Sequence, residues 1–298
     1  MFFEVYSNLI LSEFDLSSLG VKEIESDSRN LTNLTITSSK SREIPKGIQI
    51  DNQTRIDKDY GYYFKKDTGL FEFLNGQEIK VSSYNNKLDQ DFLRILLNFP
   101  FACIFSQKGY LALHASAVKY LNRTFLFPGS SLTGKSSIAA LLVQKGGKLI
   151  TEDTAIISIK DSMPKILPSY PMIKISDDIN KELSLSKIEG IKFFKEINER
   201  KGYLLSNQQM ISKPEKIDYC IFPEWSKGFS KLIPMSKGEG IRRILNSSLS
   251  ILPFYDKDEE KEHFKEITSF VRNIDVLIYA RKKSISNLKG LTKLLDKI

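Results

Sequence analysis

The chain contains few of the residues that build disulfides and metal centres. Its 298 residues include two cysteines, two histidines and a single tryptophan. Cys103 and Cys220 lie far apart, each in an apolar stretch, which favours buried thiols over a disulfide or a metal site. With two histidines in the whole chain, a metal centre built from imidazole ligands is not expected.

Long apolar runs are also absent from the sequence. No stretch approaches the roughly 20 apolar residues that a membrane-spanning helix needs. The N-terminus carries Glu4 and no leading basic residues, unlike a signal peptide. With 41% hydrophobic and 27% charged residues, the composition is that of a soluble globular protein of one large domain or two ordinary ones. We therefore expect a cytoplasmic protein with no membrane partner.

A net charge of +8 makes nucleic acid a partner to consider. However, the lysine and arginine residues are scattered along the chain and mixed with acidic residues, as in the stretch 257–266. This pattern favours a solvated basic surface that tolerates anionic substrates over a dedicated nucleic-acid groove. A nucleic-acid-stimulated ATPase is the weaker alternative.

The first part of the chain has the pattern of a β-rich domain, which we assign to residues 1–86. Short runs of β-branched and aromatic residues are separated by Gly, Asn, Asp and Pro, as is typical of strands and turns. The predicted strands are Phe2–Tyr6, Leu31–Thr37, Gly47–Ile50, Tyr60–Lys65, Gly69–Phe73 and Ile79–Ser82.

Residues 88–99 change to a helical period. Their apolar residues fall on one helical face, and Pro100 is expected to end this helix. The helix marks the join to a second domain over residues 87–298, in which strands and helices are mixed. There the pattern also predicts helices over 177–185 and 188–199.

The most informative segment is a glycine-rich loop between a predicted strand and a predicted helix. Its sequence matches G-x-x-x-x-G-K-[ST], in which backbone N–H groups surround a phosphate, the lysine approaches the outer phosphates and the hydroxyl holds Mg²⁺. An apolar run precedes the loop and a helical stretch follows it, so that a helix N-terminus would point at the anion. The predicted ATP-binding residues are Gly129, Ser130, Ser131, Leu132, Thr133, Gly134, Lys135, Ser136 and Ser137.

Two further features lie close to this loop in sequence. His114 belongs to the strand before the loop-bearing strand, where an imidazole could shuttle a proton or contact phosphate. Glu152 and Asp153 end an apolar strand only a helix and a turn after Lys135, which should return them beside the loop. Such carboxylates can hold Mg²⁺ or accept a hydroxyl proton. An alternative for His114 is a satisfied core histidine.

Aromatic and basic groups in the less regular half of the chain are weaker candidates. Tyr170, Arg200 and Lys201 could line a substrate pocket, although exposed basic side chains are the more common outcome at such positions.

These residues together resemble the HPr kinase/phosphorylase-like serine kinases. The resemblance is carried by LHASAV, FPGSSLTGKSSIAALLVQKG and LITEDTAII, in this order and at this tight spacing. It covers roughly residues 88–180 and extends weakly to the N-terminus, which is similar to diverged members in bacterial biosynthetic clusters, including kinases of lasso-peptide precursors. Phosphoenolpyruvate carboxykinase has a similar nucleotide-binding core.

The resemblance implies an α/β fold with a P-loop kinase domain and a smaller β-rich N-terminal domain. It implies ATP and Mg²⁺ as cofactors, with Lys135 on the outer phosphates and Ser136 and Asp153 at the metal. Asp153, with Glu152 beside it, would also serve the accepting hydroxyl, and His114 would assist near the transferred phosphoryl group, so that His114, Lys135, Glu152 and Asp153 are the implied catalytic residues. The implied reaction transfers the γ-phosphoryl group to a hydroxyl of a serine-bearing peptide or a small metabolite. Related kinases assemble into homo-oligomers, but no interface is evident in this sequence.

Two positions depart from HPr kinases. Glu152 stands where an aspartate is usual, and Ser130 stands where an acid is usual. The resemblance therefore does not extend to HPr as the acceptor or to the phosphorylase reaction. A non-catalytic ATP-binding sensor or assembly factor stays open as an alternative.

Overall fold

A computed structural model of the chain describes residues 1–25, 33–39, 54–56, 58–83, 89–159, 163–197, 199–248 and 257–298. The predicted mixed α/β class is confirmed. The described strands are β1 (Phe2–Val5), β2 (Asn8–Ser12), β3 (Leu34–Ser38), β4 (Thr54–Ile56), β5 (Tyr60–Lys65), β6 (Gly69–Leu74), β7 (Glu78–Ser83), β8 (Leu111–Tyr120), β9 (Arg123–Pro128), β10 (Lys148–Thr151), β11 (Thr154–Ser158), β12 (Lys165–Ile166), β13 (Met172–Ile175), β14 (Lys192–Ile197), β15 (Arg200–Leu204), β16 (Glu215–Lys216), β17 (Tyr219–Trp225), β18 (Lys231–Pro234) and β19 (Asp275–Arg281). The described α-helices are α1 (Gln90–Leu96), α2 (Phe99–Gln107), α3 (Lys135–Gln144), α4 (Asp177–Leu183), α5 (Lys237–Ser247), α6 (Lys257–Arg272) and α7 (Ile285–Leu295).

The described strands form three sheets. The first has the order β1-β2-β3-β7-β6-β5-β4, and the third has the order β13-β15-β14. The second has the order β16-β12-β11-β8-β9-β17-β19-β18, with β10 also paired to β8. Strand β9 runs antiparallel to β8 and parallel to β17. The loop after β9 therefore opens at the same edge of the second sheet as the C-terminal ends of β17 and β19.

Period-2 alternation along β8 divides its side chains between different cores. Leu113, Ala115 and Ala117 are buried in the core that includes α5 and α6. On the other face, Ala112 joins the core beneath the first sheet, and Val118 joins the core around α3. His114 lies between these last two positions on the same face, because successive side chains of a strand point to opposite sides.

Helix α2 connects the two predicted domains. Its residues from Pro100 to Phe105 are buried, and they share one apolar core with the first sheet and with residues of the later chain such as Ile156 and Met172. The division into 1–86 and 87–298 stays a prediction, because its boundary lies outside the described residues. The predicted strand Gly47–Ile50 and residues 31–32 of another also lie outside them.

Two predicted helices were wrong in extent or type. Residues 88–99 were expected to form one helix that stops at Pro100, but Pro100 lies in the first turn of α2, where a missing N–H costs nothing. Residues 188–199 were expected to be helical, but β14 forms a hairpin with β15 there. The cross-strand partners that β15 supplies override the local helical pattern.

No helix in the described ranges has the length and apolar character required to cross a membrane.

The shared core predicts that a single substitution in α2 destabilises the fold strongly. Phe101 is fully buried, with its ring centroid 5.8 Å from that of Tyr6 and 6.2 Å from that of Phe105. Phe101→Ala should lower the free energy of unfolding by about 3–5 kcal/mol, measured by urea denaturation. Phe229→Ala is the control, because Phe229 is 92% exposed and such a change should stay within about 0.5 kcal/mol. Equal effects of the two substitutions would contradict this packing.

Candidate active site around the glycine-rich loop

The glycine-rich loop connects β9 to α3 through three residues with positive φ. Gly129 has φ 141°, Leu132 has φ 67° and Gly134 has φ 95°. Gly134 is required for a second reason, because a Cβ atom there would collide with the guanidinium of Arg281. The backbone thus curls into a concave turn immediately before the first turn of α3.

The N–H groups of this turn lack protein acceptors. Among the described residues, no backbone N–H from Gly129 to Ser137 donates a hydrogen bond to another protein group. Lys135 bridges the loop from inside, because its Nζ donates to the carbonyl oxygens of Gly129 and Ser130, at 2.8 Å each. Backbone N–H groups without protein acceptors, at a helix N-terminus and beside a lysine, are the groups that bind anions in such loops.

Glu152 and Asp153 form a sharp turn between β10 and β11. The two strands follow one edge of β8, where Thr151 pairs with Ala117 and Thr154 pairs with His114. Asp153 interrupts this edge with φ 69°. A non-glycine residue in the left-handed region is strained and is often found at functional sites.

The two carboxylates have different partners. Glu152 is 4% exposed, and its Oε1 accepts a hydrogen bond of 2.6 Å from the Ser136 hydroxyl. Asp153 Oδ1 lies 3.9 Å from His114 Nε2, and its other oxygen pairs with Lys174. The sequence prediction placed Asp153 with Ser136 at the metal, but the structure places Glu152 next to the Ser136 hydroxyl.

Lys174 is the most important residue that sequence analysis missed. It lies on β13, is 7% exposed, and its Nζ lies 3.7 Å from Glu152 Oε2 in addition to pairing with Asp153. Burial lowers the pKa of Lys174, while the negative charge of Glu152 opposes this shift. The one available signal was a lysine inside the otherwise apolar run MIKI.

His114 faces the same group of charges. The pKa of His114 is lowered from its usual 6.5 to about 4, mainly by burial and in addition by the cations of Lys135, Lys174 and Arg200. Asp153 would favour the imidazolium, but its carboxylate already pairs with Lys174. The imidazole is therefore neutral at pH 7.

Lys135 is also affected by its surroundings. Burial lowers the pKa of Lys135 from 10.5 to about 8, although the carboxylate of Glu152 acts in the opposite direction. The lysine is still mainly protonated at pH 7, so the loop presents a positive charge.

A second missed group lies at the C-terminal ends of β17 and β19. The Arg281 guanidinium lies 4.2 Å from the centre of the Trp225 ring. Arg281 is 3% exposed, and its buried Nε has no hydrogen-bond partner among the described residues. A buried donor without a partner costs stability, so its presence next to a binding loop calls for an explanation.

The charged and aromatic side chains described above, apart from Glu152, line one cavity of about 690 Å³. Of the glycine-rich loop, Ser131, Leu132 and residues 134–137 also line it, and β5, α1 and α2 contribute further residues. This volume is within the range of about 300–1,000 Å³ that is usual for small-molecule sites.

The three weaker substrate candidates have different positions. Arg200 lines the cavity. Lys201, the next residue of β15, points away and pairs with Asp177 at 3.2 Å, because neighbouring strand residues face opposite sides. Tyr170 is 4% exposed and lies behind the cavity wall, where its hydroxyl accepts a hydrogen bond of 3.0 Å from Asn98. Of the three candidates, Arg200 alone lines this cavity.

Comparisons with known proteins identify no sequence family. No family model matches the chain, and no curated protein matches it. One similar solved structure is the HPr(Ser) kinase/phosphatase from Coxiella burnetii, with 12% sequence identity, a TM-score of 0.32, and coverage of 62% of this chain and 88% of that chain. At this identity and TM-score, the likeness supports no assignment of activity.

The electrostatics of the cavity predict the titration of His114. The chain has two histidines, so NMR can follow both ring Cε1–H signals, and a His114→Gln variant assigns them. We expect His114 to stay neutral until the pH falls to about 4, because burial and nearby cations disfavour its charged form. Arg200→Gln should raise this pKa by removing a cation, whereas Lys201→Gln should leave it unchanged. A His114 pKa at or above 6.5 would contradict this electrostatic environment.

Proposed function

We propose that this protein is an ATP-dependent kinase that transfers the γ-phosphoryl group to a hydroxyl of a serine-bearing peptide or a small metabolite. The observation that carries the proposal is the run of backbone N–H groups from Gly129 to Ser137 without protein acceptors, in a loop whose Gly129 and Ser130 carbonyls hold the Lys135 ammonium. Membership of the HPr kinase-like family is part of the proposal. It is supported by the order of His114, the loop and the acidic pair along the chain.

The triphosphate would bind along the glycine-rich loop. Its oxygens can accept hydrogen bonds from the loop N–H groups and from Lys135, whose ammonium now lies on the carbonyls of Gly129 and Ser130. Arg281 lies against Gly134 with a buried, unpaired Nε, and a phosphate oxygen would supply the acceptor that this donor lacks. Arginine suits phosphate because its planar fork of donors matches the anion.

The oxygen atoms at Ser136 and Glu152 are suitable ligands for Mg²⁺. Kinase sites usually hold this ion through one or two carboxylates together with substrate phosphates. The hydroxyl of Ser136 and the carboxylate of Glu152 are hard oxygen ligands, and they are already in contact. When bound, Mg²⁺ would neutralise the charge that develops on the phosphate oxygens.

Asp153 is the group suited to receive the acceptor hydroxyl. One carboxylate oxygen is held by Lys174, while Oδ1 lies on the side of His114 and the cavity. In the transfer, the acceptor oxygen bonds to the γ-phosphorus, the bond from phosphorus to ADP breaks, and the hydroxyl proton passes to Asp153 Oδ1. The neutral His114 imidazole orients this carboxylate or the incoming hydroxyl by hydrogen bonding.

The loop assignment predicts the nucleotide affinity of a lysine variant. Lys135→Ala should weaken ATP binding at least about tenfold, since a charged hydrogen bond contributes about 1.5–3 kcal/mol. Isothermal titration calorimetry measures the change, and Lys145→Ala is the control because Lys145 is exposed at the other end of α3. Unchanged affinity in Lys135→Ala would exclude this loop as the nucleotide site.

The acid assignment predicts loss of transfer without loss of binding. Asparagine tolerates the left-handed backbone of Asp153, so Asp153→Asn should fold. It should transfer phosphate about 100-fold more slowly or worse, the usual scale for a positioned proton acceptor, while ATP affinity stays close to wild type. The assay measures transfer from radiolabelled ATP to serine-bearing peptides and small hydroxyl metabolites. Asp177→Asn is the control, because the Asp177 side chain is 61% exposed and paired with Lys201. Transfer at the wild-type rate by Asp153→Asn would remove Asp153 from this role. If the wild-type protein and both variants bind ATP but none of them transfers phosphate, the sensor alternative is favoured instead.

A further inference from the structure

The cavity is also lined by three positive charges that come from outside the glycine-rich loop. Lys65 comes from the end of β5, Arg94 from α1 and Arg200 from the start of β15. These elements lie far apart in sequence, yet all three side chains line the same cavity. We call them the second cationic group.

The charge of this group is poorly compensated by the protein. Lys65 and Arg200 have no carboxylate within 4.0 Å in the described part of the chain. The carboxylate nearest to Arg94 belongs to Asp91, at 3.8 Å from Nε, and the other Asp91 oxygen already binds Lys195 at 2.7 Å. Arg94 Nε is buried and makes no hydrogen bond to any described group.

The second cationic group adds to a crowd of like charges in the cavity. Burial lowers the pKa of Lys65, and the neighbouring Arg94 acts in the same direction, while Asp91 opposes it. Burial also lowers the pKa of Lys135 and Lys174, and there Arg200 acts in the same direction. A fold that gathers like charges loses stability through their repulsion, unless an anion binds between them.

The remaining charges of the cavity are accounted for by other partners. Seven lysine and arginine side chains line it, but only two acidic side chains do, Asp153 and Asp178. Lys174 pairs with Asp153, and Lys135 and Arg281 lie at the glycine-rich loop. Lys283 is near Trp225, with Nζ 6.0 Å from the ring centre. The second cationic group is therefore in excess of what one nucleotide at the loop would engage.

The surroundings suit a small anion. Tyr63 and Phe99 line the same cavity, with ring centroids 4.6 Å apart. Apolar walls lower the local dielectric and strengthen attraction between a bound anion and the cations. Guanidinium groups bind carboxylate and phosphate through paired hydrogen bonds.

We propose that Lys65, Arg94 and Arg200 form an anion subsite, and that the phosphate acceptor carries its own carboxylate or phosphate group, which binds there. This inference rests on the proposed kinase function and adds the chemical class of the acceptor. His114 and Asp153 line the same cavity as the loop and this subsite, so an acceptor anchored there would present its hydroxyl to them. The subsite selects anionic hydroxyl compounds over neutral ones.

The test uses protein whose glycine-rich loop is already saturated with a nucleotide analogue. Calorimetry first measures binding of a non-hydrolysable ATP analogue with Mg²⁺, and inorganic phosphate or acetate is then titrated into the saturated protein. We expect at least one of the two anions to bind. Tighter binding of phosphate indicates a phosphate-bearing acceptor, and tighter binding of acetate indicates a carboxylate-bearing one.

Matched variants locate the bound anion. Lys65→Gln and Arg200→Gln should each weaken its binding at least about tenfold, the loss expected for a charged hydrogen bond. The controls are the chain neighbours Lys66→Gln, which is exposed, and Lys201→Gln, which is paired outside the cavity. Thermal melting shows whether each variant is folded. The charge-preserving variants Lys65→Arg and Arg200→Lys should retain anion binding, because the subsite acts through its positive charge.

The possible failures are distinguishable. Absence of analogue binding would overturn the proposed kinase function and the acceptor site with it. Analogue binding without anion binding would overturn the subsite alone, as would equal anion affinity in the variants and their neighbour controls.

Discussion

The buried ammonium of Lys174, held between the carboxylates of Glu152 and Asp153, is the interaction on which the site depends. It connects the three-stranded sheet to the strained turn on the edge of β8. Desolvation disfavours all three charges, and only their mutual pairing offsets it. Removing one partner would leave an uncompensated charge in the interior, so the pairing holds the acidic turn beside the glycine-rich loop.

In that arrangement the two adjacent acids, Glu152 and Asp153, contact different partners. Glu152 points to the Ser136 hydroxyl at the start of α3, whereas Asp153 points to His114 and the cavity. The left-handed backbone of Asp153 keeps both carboxylates at this site, because an extended strand would place the two side chains on opposite faces of the sheet. The strain at Asp153 is thus the local cost of bringing both carboxylates to one site.

The first sheet belongs to the same architecture, because it shares a core with α2 and with β11. Lys65 from β5 and Arg94 from the neighbouring α1 line the same cavity as residues of the glycine-rich loop. Burial is the main reason why the pKa of His114 is low, and the cations of the cavity add to it, because protonation there would add another positive charge to a region that already has an excess of them. The β-rich part of the chain therefore shapes the candidate site.

The sequence alone was sufficient for the α/β class, the glycine-rich loop, and the closeness of His114 and the acidic pair to it. These features are local: glycines, a strand and a helix follow one another along the chain, and short connections limit where neighbouring strands can go. Lys174, Arg281, Arg94 and Lys65 could not be found in this way, because each lies on an element whose position is set by long-range strand pairing or helix packing. The same reason explains why Arg200 lines the cavity while Lys201 and Tyr170 do not, since strand pairing of β15 and the contact of Tyr170 with Asn98 are long-range features. Tertiary structure alone decided the charge balance of the cavity, because electrostatic effects depend on distance in space and on burial, which residue order does not specify.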